Sequence, residues 1–367
     1  MKILVTGGNG FIGSHLVSAL LDRGENEIFI LDREKPKQKN KKIKYYHANL
    51  CDNIDEILEN KFDIIFHLAA EVGSGLSMAD PKRFLLTNTY GTANLFESMR
   101  KSGKYSKVIA VSSATVYGEA TYECKDHGTC YPGFREKTNL VKNHWEVKCP
   151  HCEKDMYPLP IREERPLNPG NIYGLSKLDT ESICINLSRA WGFPTVVFRP
   201  FGVFGPGQSL GNPYTGVLAL FATWVYAGHP IRHYEDGNQR KGYIYIDDAI
   251  NALVCAMDND QGNGMVFNLG IKEPVSITQI ANQLVRQIDN NVEIIKTGKF
   301  RTGDTRHSWP DISLLKNTLP WEPKFTFDDG LSKLLEWFET IPKEVIFESI
   351  KTFDKAEKYA KSFGLEV

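Results

Sequence analysis

The chain opens on Lys2-Ile3-Leu4-Val5-Thr6-Gly7-Gly8-Asn9-Gly10-Phe11-Ile12-Gly13-Ser14, and the reading of this stretch decides the fold. The run from Ile3 to Val5 reads as a buried parallel strand and the glycines as a tight turn. His15 to Arg23 reads as a helix with Leu16, Ala19 and Leu20 on one face. Gly7-x-x-Gly10-x-x-Gly13 is a variant of the dinucleotide fingerprint. In it Gly7 permits the turn, Gly10 lets backbone N–H groups approach a pyrophosphate, and Gly13 lets helix and strand pack closely. Glycines also mark ordinary turns, so context has to carry the reading. A second apolar run, Ile28 to Leu31, ends at Asp32, 19 residues after Gly13. A carboxylate there can bond adenosine ribose hydroxyls and would repel a 2′-phosphate, so NAD is expected over NADP. The basic run from Arg33 to Lys42 reads as a solvated loop.

Working outward, Ile43 to His47, Phe62 to His67, Lys107 to Ser112 and Thr195 to Arg199 read as further strands. A helical segment spans Pro81 to Lys101 and another runs from Asn171 to about Trp191. Strand and helix alternating in this way predict an α/β fold, a Rossmann-type doubly wound parallel sheet whose ligands lie beyond the carboxyl ends of the strands. Those ends read His67-Leu68-Ala69-Ala70 and Ser112-Ser113-Ala114-Thr115. Small residues admit a flat ring, and Ser113 or Thr115 can hydrogen-bond a substrate hydroxyl. Tyr173 and Lys177 are four apart and share a helix face. A phenol works as a base at neutral pH only if its pKa of about 10 falls toward 7. A neighbouring ammonium and a cationic nicotinamide stabilise the phenolate.

The 367 residues suffice for a large α/β domain and a second lobe, and a net charge of -1 predicts no nucleic-acid or anionic-membrane surface. No apolar run reaches the ~18 residues of a membrane span, and no signal peptide is read at the start, so a cytoplasmic protein is expected. The longest apolar stretch, from Gly216 to Gly228, has the length of a buried helix. Seven cysteines in such a chain point to metal or free thiols. Between Gly118 and Pro166 the strand-helix pattern breaks, and a structureless loop of that length needs a staple. The segment holds Cys124-x-x-His127, Cys130 and Cys149-Pro150-His151-Cys152, with 21 residues between His127 and Cys149. This is zinc-ribbon spacing, with Cys124, His127, Cys149 and Cys152 as ligands and Cys130 as the alternative to His127. Four such ligands close the coordination shell, so the zinc is expected to be structural.

Taken in order, Gly7-x-x-Gly10-x-x-Gly13, Asp32, Ser113 in Ser-Ser-Ala-Thr-Val-Tyr-Gly and Tyr173-x-x-x-Lys177 resemble the extended short-chain dehydrogenase/reductases of the nucleotide-sugar epimerase and dehydratase family. The likeness runs from residue 1 to about 340. It implies a catalytic set of Ser113, Tyr173 and Lys177, with NAD shuttling a hydride at the sugar C4. It also implies cofactor contacts at Gly7, Gly10, Phe11, Ile12, Gly13, Asp32, Asn49, Leu50, Leu68, Ala69, Ala70, Asn88, Ser112, Tyr173, Lys177 and Pro200. Substrate contacts would fall to Ser113, Thr115, Tyr173, Arg240 and Arg301, with Lys241 as a further candidate on the diphosphate. Dehydratases of the family usually carry Asp-Glu after the catalytic Ser/Thr, where this chain has Ala114-Thr115, so epimerisation is favoured over dehydration, and a net keto-sugar reductase, which would consume free cofactor, is its nearest rival. The intact Tyr173 and Lys177 argue against a non-catalytic dinucleotide sensor.

The chain departs from the family at Pro200 and Gly202, commonly Tyr and Asn, and at Gly242, frequently Asp. The Cys-rich insertion, Gln208-Ser209-Leu210-Gly211-Asn212-Pro213-Tyr214-Thr215-Gly216-Val217, and Arg301-Thr302-Gly303-Asp304-Thr305-Arg306-His307 resemble the dTDP-L-rhamnose 4-epimerase branch. The implied organisation is an NAD-binding domain over 1–200, with part of 240–270 returning to it, and a zinc-ribbon-like insertion at 119–165. A substrate lobe follows over 201–341 and a helical tail over 342–367. Resemblance further implies a homodimer through the helices at about 88–102 and 171–191.

Overall fold

Alternation along the strands places successive side chains on opposite faces of the sheet, and that division organises the domain. In the computed structural model, which describes residues 1–25, 27–36, 40–210 and 216–362, seven parallel strands form one sheet. They are β1 (Lys2–Thr6), β2 (Glu27–Asp32), β3 (Ile43–His47), β4 (Ile64–His67), β5 (Lys107–Val111), β6 (Thr195–Pro200) and β7 (Met265–Leu269). Their spatial order is β7-β6-β5-β4-β1-β2-β3. Ile3, Val5, Ile28 and Ile30 face one layer, packed on Leu16 and Leu20 of α1 (Phe11–Asp22) and on Leu253 and Met257 of the helix Ile246–Asp258. Leu4, Phe29, Leu31 and Ile65 face the other, against Leu95, Phe96 and Met99 of α2 (Gly91–Ser102). Strand order reverses between β1 and β4, which opens a crevice beyond their carboxyl ends.

Two details differ from the sequence reading. Strand β7, which the pattern alone did not reveal, returns from beyond residue 260 to pair Val266 with Val197 and Asn268 with Arg199. The expected helix from Pro81 to Lys101 is divided into Pro81–Phe84, a π turn over Leu85–Tyr90, and α2. Its cause is local: the Asn88 carbonyl accepts from the hydroxyls of Thr92 and Thr180, at 2.5 and 3.0 Å, and so is drawn off the ordinary ladder.

The insertion folds as a three-stranded antiparallel sheet, Gly128–Cys130, Thr121–Cys124 and Tyr157–Leu159. Tyr122, Cys130, Val147 and Met156 form a small core with Tyr117, Ile161 and Phe201. Buried ion pairs join it to the lobe: Arg135 forks onto Glu235, and the fully buried Arg306 reaches Glu146, Glu235 and Asp236. Glu119 accepts the backbone N–H groups of Arg306 and His307. Charges buried this deeply persist only when paired and hydrogen-bonded. The lobe itself contains short paired strands, among them Val203–Phe204 with Ile244–Tyr245 and Arg240–Lys241 with Val275–Ser276, and the helices Val217–Tyr226, Ile277–Ile288 and Phe327–Glu339. The helix Lys343–Ser362 sets Phe353 edge-on to Trp224. Gly211 to Thr215, part of the stretch read as branch-specific, and Lys37 to Lys39 of the basic run lie outside the described residues. No helix among the described residues is long and apolar enough to cross a membrane.

Candidate functional site

Gly7 turns the chain out of β1 at φ +72°, and a methyl there would stand 2.7 Å from the Ala69 nitrogen. A methyl at Gly13 would lie 2.1 Å from the Gly7 carbonyl oxygen, so this glycine brings α1 against the loop itself more than against the strand. Gly10 is the N-cap of α1 and offers no side chain to the first-turn N–H groups of Phe11, Ile12 and Gly13, which leaves a helix N-terminus suited to an anion. Beside it lies a cleft of about 210 Å³ lined in part by Gly7, Gly10, Asp32, Asn49, Leu50, Leu68, Ala69 and Ala70. Asp32 is fixed by two N–H donors, Asn9 and Glu34, both at 2.9 Å. Glycine cradle, helix N-terminus and oriented carboxylate together fit a dinucleotide.

Three residues of the cleft were not singled out from sequence. Asn9 holds Asp32 through its backbone, Thr87 enters the cleft from the π turn, and Arg33 is ion-paired to the buried Glu71, which also accepts from Arg83 at 2.7 Å. The first member of the basic run is therefore ion-paired while still exposed, and the described remainder of the run is mostly exposed, as a solvated loop would be. No period in the sequence signals that pairing, because the partner lies 38 residues away on another strand end. Asn88, expected to touch the cofactor, also ties elements together. Its side chain accepts from the Glu71 N–H and donates to the Glu71 carbonyl and the Ser176 hydroxyl. Ser112 likewise donates to the Lys177 carbonyl at 3.1 Å, and Pro200 ends β6 beside Leu269.

At the end of β5 the structure brings Ser113, Thr115 and Tyr173 together. The Ser113 oxygen accepts from the Thr115 N–H and hydroxyl, at 3.2 and 2.9 Å, and lies beside the Tyr173 phenol. Tyr173 sits in the first turn of α3 (Ile172–Trp191), whose N-cap Asn171 accepts from Gly174 at 2.8 Å. Ser77 accepts the Tyr173 N–H at 2.9 Å, and Phe84 packs edge-on to the ring. Burial pushes the phenol up, with the Ser113 hydroxyl opposing it. Burial likewise brings the Lys177 ammonium down to about 8, against the smaller pull of Cys184 and Glu181. At neutral pH Lys177 is thus mostly cationic but readily titrated. His67, at the end of β4, is held between Thr6 at 3.0 Å and Thr92 at 2.9 Å, and burial lowers it to about 3, so it stays neutral.

The depressed lysine has a stability consequence with a definite sign. Between about pH 8 and 10.5 the unfolded chain binds a proton at this residue that the folded chain lacks, so stability rises with pH across that window. The two values correspond to about 3 kcal/mol. Lys177→Met is therefore expected to be more stable than wild type at pH 7, by up to that amount, and to lose most of the advantage by pH 10. Urea unfolding at the two pH values measures it; a pH-independent difference would mean that the ammonium is not desolvated.

The candidate diphosphate residues separate. Arg301 stacks on Tyr234 at 4.8 Å, and Lys241 donates to the Thr305 carbonyl and hydroxyl at 2.7 and 2.5 Å, beside Asp304. Arg240, its strand neighbour, points the other way, over Trp309 and into a cavity of about 540 Å³ lined by Glu146, Asp155 and His307. Alternation along the strand therefore puts Lys241, not Arg240, with the Arg301 segment, a distinction that a two-residue strand gives no periodicity to predict. Gly202 also has a packing reason: a methyl there would meet the Tyr243 ring at 2.6 Å and the Gly242 carbonyl at 2.8 Å. Gly242 in turn lies against Pro310 and Trp309, so the two departures share one close-packed contact.

In the insertion, the ligand atoms of Cys124, His127, Cys149 and Cys152 all lie within 4.8 Å of one another. Cys124 Sγ is 3.5 Å from His127 Nδ1 and 3.7 Å from Cys152 Sγ, and Cys149 Sγ is 3.6 Å from His127 Nδ1. A tetrahedron with zinc–sulfur and zinc–nitrogen bonds of about 2.3 and 2.0–2.1 Å has edges of about 3.8 and 3.6 Å. Cys130 directs its sulfur to the Gly128 carbonyl at 3.5 Å and is not one of the four.

Comparison with known proteins adds to this geometry. The model of the NAD dependent epimerase/dehydratase family matches residues 3–136 and 152–270, and its interruption falls within the insertion. The dTDP-L-rhamnose 4-epimerase of Burkholderia thailandensis is 32% identical over 349 residues, covering 92% of this chain and 94% of that protein. The crystal structure of the Thermotoga maritima UDP-glucose 4-epimerase with UDP-glucose is 28% identical, with a TM-score of 0.75 over 93% of this chain and 99% of that one. The Thermus thermophilus UDP-glucose 4-epimerase complexed with NAD is 25% identical, with a TM-score of 0.74 over 93% and 100%.

Proposed function

The chain belongs to the NAD dependent epimerase/dehydratase family, and from that membership we propose that it is a nucleotide-sugar 4-epimerase acting on a dTDP-6-deoxyhexose such as dTDP-L-rhamnose. The observation that carries the reaction type is the juxtaposition of Ser113 and the Tyr173 phenol at the end of β5, with Ala114 and Thr115 following where elimination would need carboxylates. Burial and Ser113 are what move the phenol; no carboxylate among the described residues contributes. The 32% identity to a dTDP-L-rhamnose 4-epimerase supports the substrate.

In this reading Tyr173, as phenolate, takes the proton of the sugar 4-hydroxyl, which Ser113 orients. Lys177 sustains the phenolate through its charge. When bound, NAD supplies the two-electron oxidant that makes the 4-keto sugar and then reverses that oxidation. The first turn of α1, Asp32 and the Leu68-Ala69-Ala70 edge would hold it, and Arg301 with Lys241 would meet the diphosphate. The Cys124, His127, Cys149 and Cys152 cluster is read as a structural zinc site, supported by its near-tetrahedral edges. Exposed Leu86, Tyr90 and Leu175, on the π turn and α3, support a homodimer joined there.

The reading is tested by incubating the purified protein, without added cofactor, with dTDP-L-rhamnose in deuterated water and following C4 by proton NMR. A C4 epimer free of ring deuterium is expected, and light scattering on the same sample should report a chain pair. Conversion only on addition of NAD(H) or NADP(H) would make the protein a net oxidoreductase.

A further inference from the structure

Gly133-Phe134-Arg135 crosses from the insertion to the border between domain and lobe. Arg135 is anchored on the lobe side: its guanidinium forks onto Glu235 at 2.7 and 2.9 Å and donates to the Asp304 carbonyl at 3.0 Å. The adjacent Phe134 ring lies on the domain side, in space that two glycines leave. A methyl at Gly170 would stand 2.0 Å from a carbon of this ring, and a methyl at Gly118, where φ is +69°, would stand 3.1 Å from it. Gly118 follows Ser113 by five residues and Gly170 precedes Tyr173 by three. Gly303, two residues after Arg301, lies against Gly170 in turn, where a methyl would be 3.5 Å from the Gly170 carbonyl oxygen. The ring is thus set between the segments that carry Ser113 and Tyr173, with the Arg301 segment packed on the second of them, and Phe134 remains only half-buried.

We propose that Phe134 is a wall of the sugar pocket and a specificity-determining residue, selecting a nucleotide sugar whose C5 carries a methyl group over one carrying a hydroxymethyl or a carboxylate. The proposal rests on the nucleotide-sugar epimerase reading and gives the insertion a part in substrate choice. A hydroxyl or carboxylate turned against an aromatic face gives up water and gains no partner. The buried arginines of the insertion cannot supply one. Arg135 is committed to Glu235, and Arg165 donates to the Tyr117, Pro166 and Ala120 carbonyls. An apolar wall discriminates against an added hydroxyl by up to about 10²-fold. Because Arg135 is clamped and the glycines admit no movement toward them, the ring cannot step aside cheaply.

The test compares kcat/KM for dTDP-L-rhamnose with that for its 6-hydroxylated counterpart dTDP-L-mannose, in wild type, Phe134→Ala and Phe134→Leu. Wild type should favour the 6-deoxy sugar by about 10–100-fold. Phe134→Leu, which keeps an apolar wall and offers a folded control should Phe134→Ala prove unstable, should retain most of that ratio. Phe134→Ala should bring the ratio toward 1, largely through KM for the hydroxylated sugar. An unchanged ratio in Phe134→Ala, or a wild type indifferent to the 6-hydroxyl, overturns the proposal while leaving the epimerase intact. Wild type inactive on both sugars overturns the reading beneath it.

Discussion

Replacing Tyr173 with phenylalanine is expected to cut turnover by about 10²–10⁴-fold while the protein stays folded and keeps its NAD. The fold should tolerate the change because the features that place this residue are backbone and ring features. Ser77 accepts its N–H, Asn171 caps the helix, and Phe84 meets the ring edge-on. Only the phenol oxygen, which lies beside Ser113, is lost. That oxygen has no ready substitute. His67 is tied at both ring nitrogens and held neutral, and Thr115 already donates to Ser113. Burial alone pushes the Tyr173 phenol up, so base strength has to come from positive charge nearby. In the proposed reading that charge belongs to Lys177, cationic below about pH 8, together with the nicotinamide. The drop should therefore appear in kcat, with KM nearly unchanged and thermal denaturation within a degree or two of wild type. Near-normal turnover in Tyr173→Phe would remove the residue from proton transfer.

The residues around Tyr173 also mark how far the sequence could be read. Strands β1, β2, β4 and β5 were legible because buried parallel strands are continuous apolar runs, and α3 because Asn171 caps a long helix. The glycine turn was legible because its backbone demands no side chain at Gly7 and Gly13. What escaped is what depends on pairing across the chain. Strand β7, Met265–Leu269, is bounded by Gly262-Asn263-Gly264 and Gly270, but its place in the parallel sheet shows only in its pairing with β6. Lys241 and Arg240, both candidates for the diphosphate, point opposite ways because a two-residue strand fixes which side chain faces inward, and nothing adjacent announces that register. Buried Arg306, with partners at positions 146, 235 and 236, looks in sequence like any surface arginine near a phosphate site. The open choice between His127 and Cys130 was one of geometry, which spacing alone could not make.

That choice leads to the second large effect, loss of the metal site. Wild-type protein should carry one zinc per chain; Cys149→Ser and His127→Ala should lose it, and Cys130→Ser should retain it. The insertion over 119–165 is small, with a sheet of strands of three or four residues and a core of few apolar side chains. Units of that size rarely bury enough surface to hold themselves together without a metal or disulfide. Structural zinc supplies about 10–16 kcal/mol in isolated small peptides, an upper bound here because Arg135 and Arg306 also anchor the insertion to the lobe. A loss of about 4 kcal/mol would lower the melting temperature by about 10 °C. The damage should begin locally, as early proteolysis between residues 119 and 165 while the parallel sheet remains intact. It should then reach activity, because once the insertion slackens, Arg135 no longer pairs with Glu235 and Glu146 no longer pairs with Arg306. The Arg301–His307 segment lies between those anchors, so substrate affinity should fall before turnover does. A zinc-free wild type with unchanged melting and protease resistance would show that the four ligand side chains are held by the protein alone. Retention of zinc in His127→Ala together with its loss in Cys130→Ser would instead move the fourth ligand to Cys130.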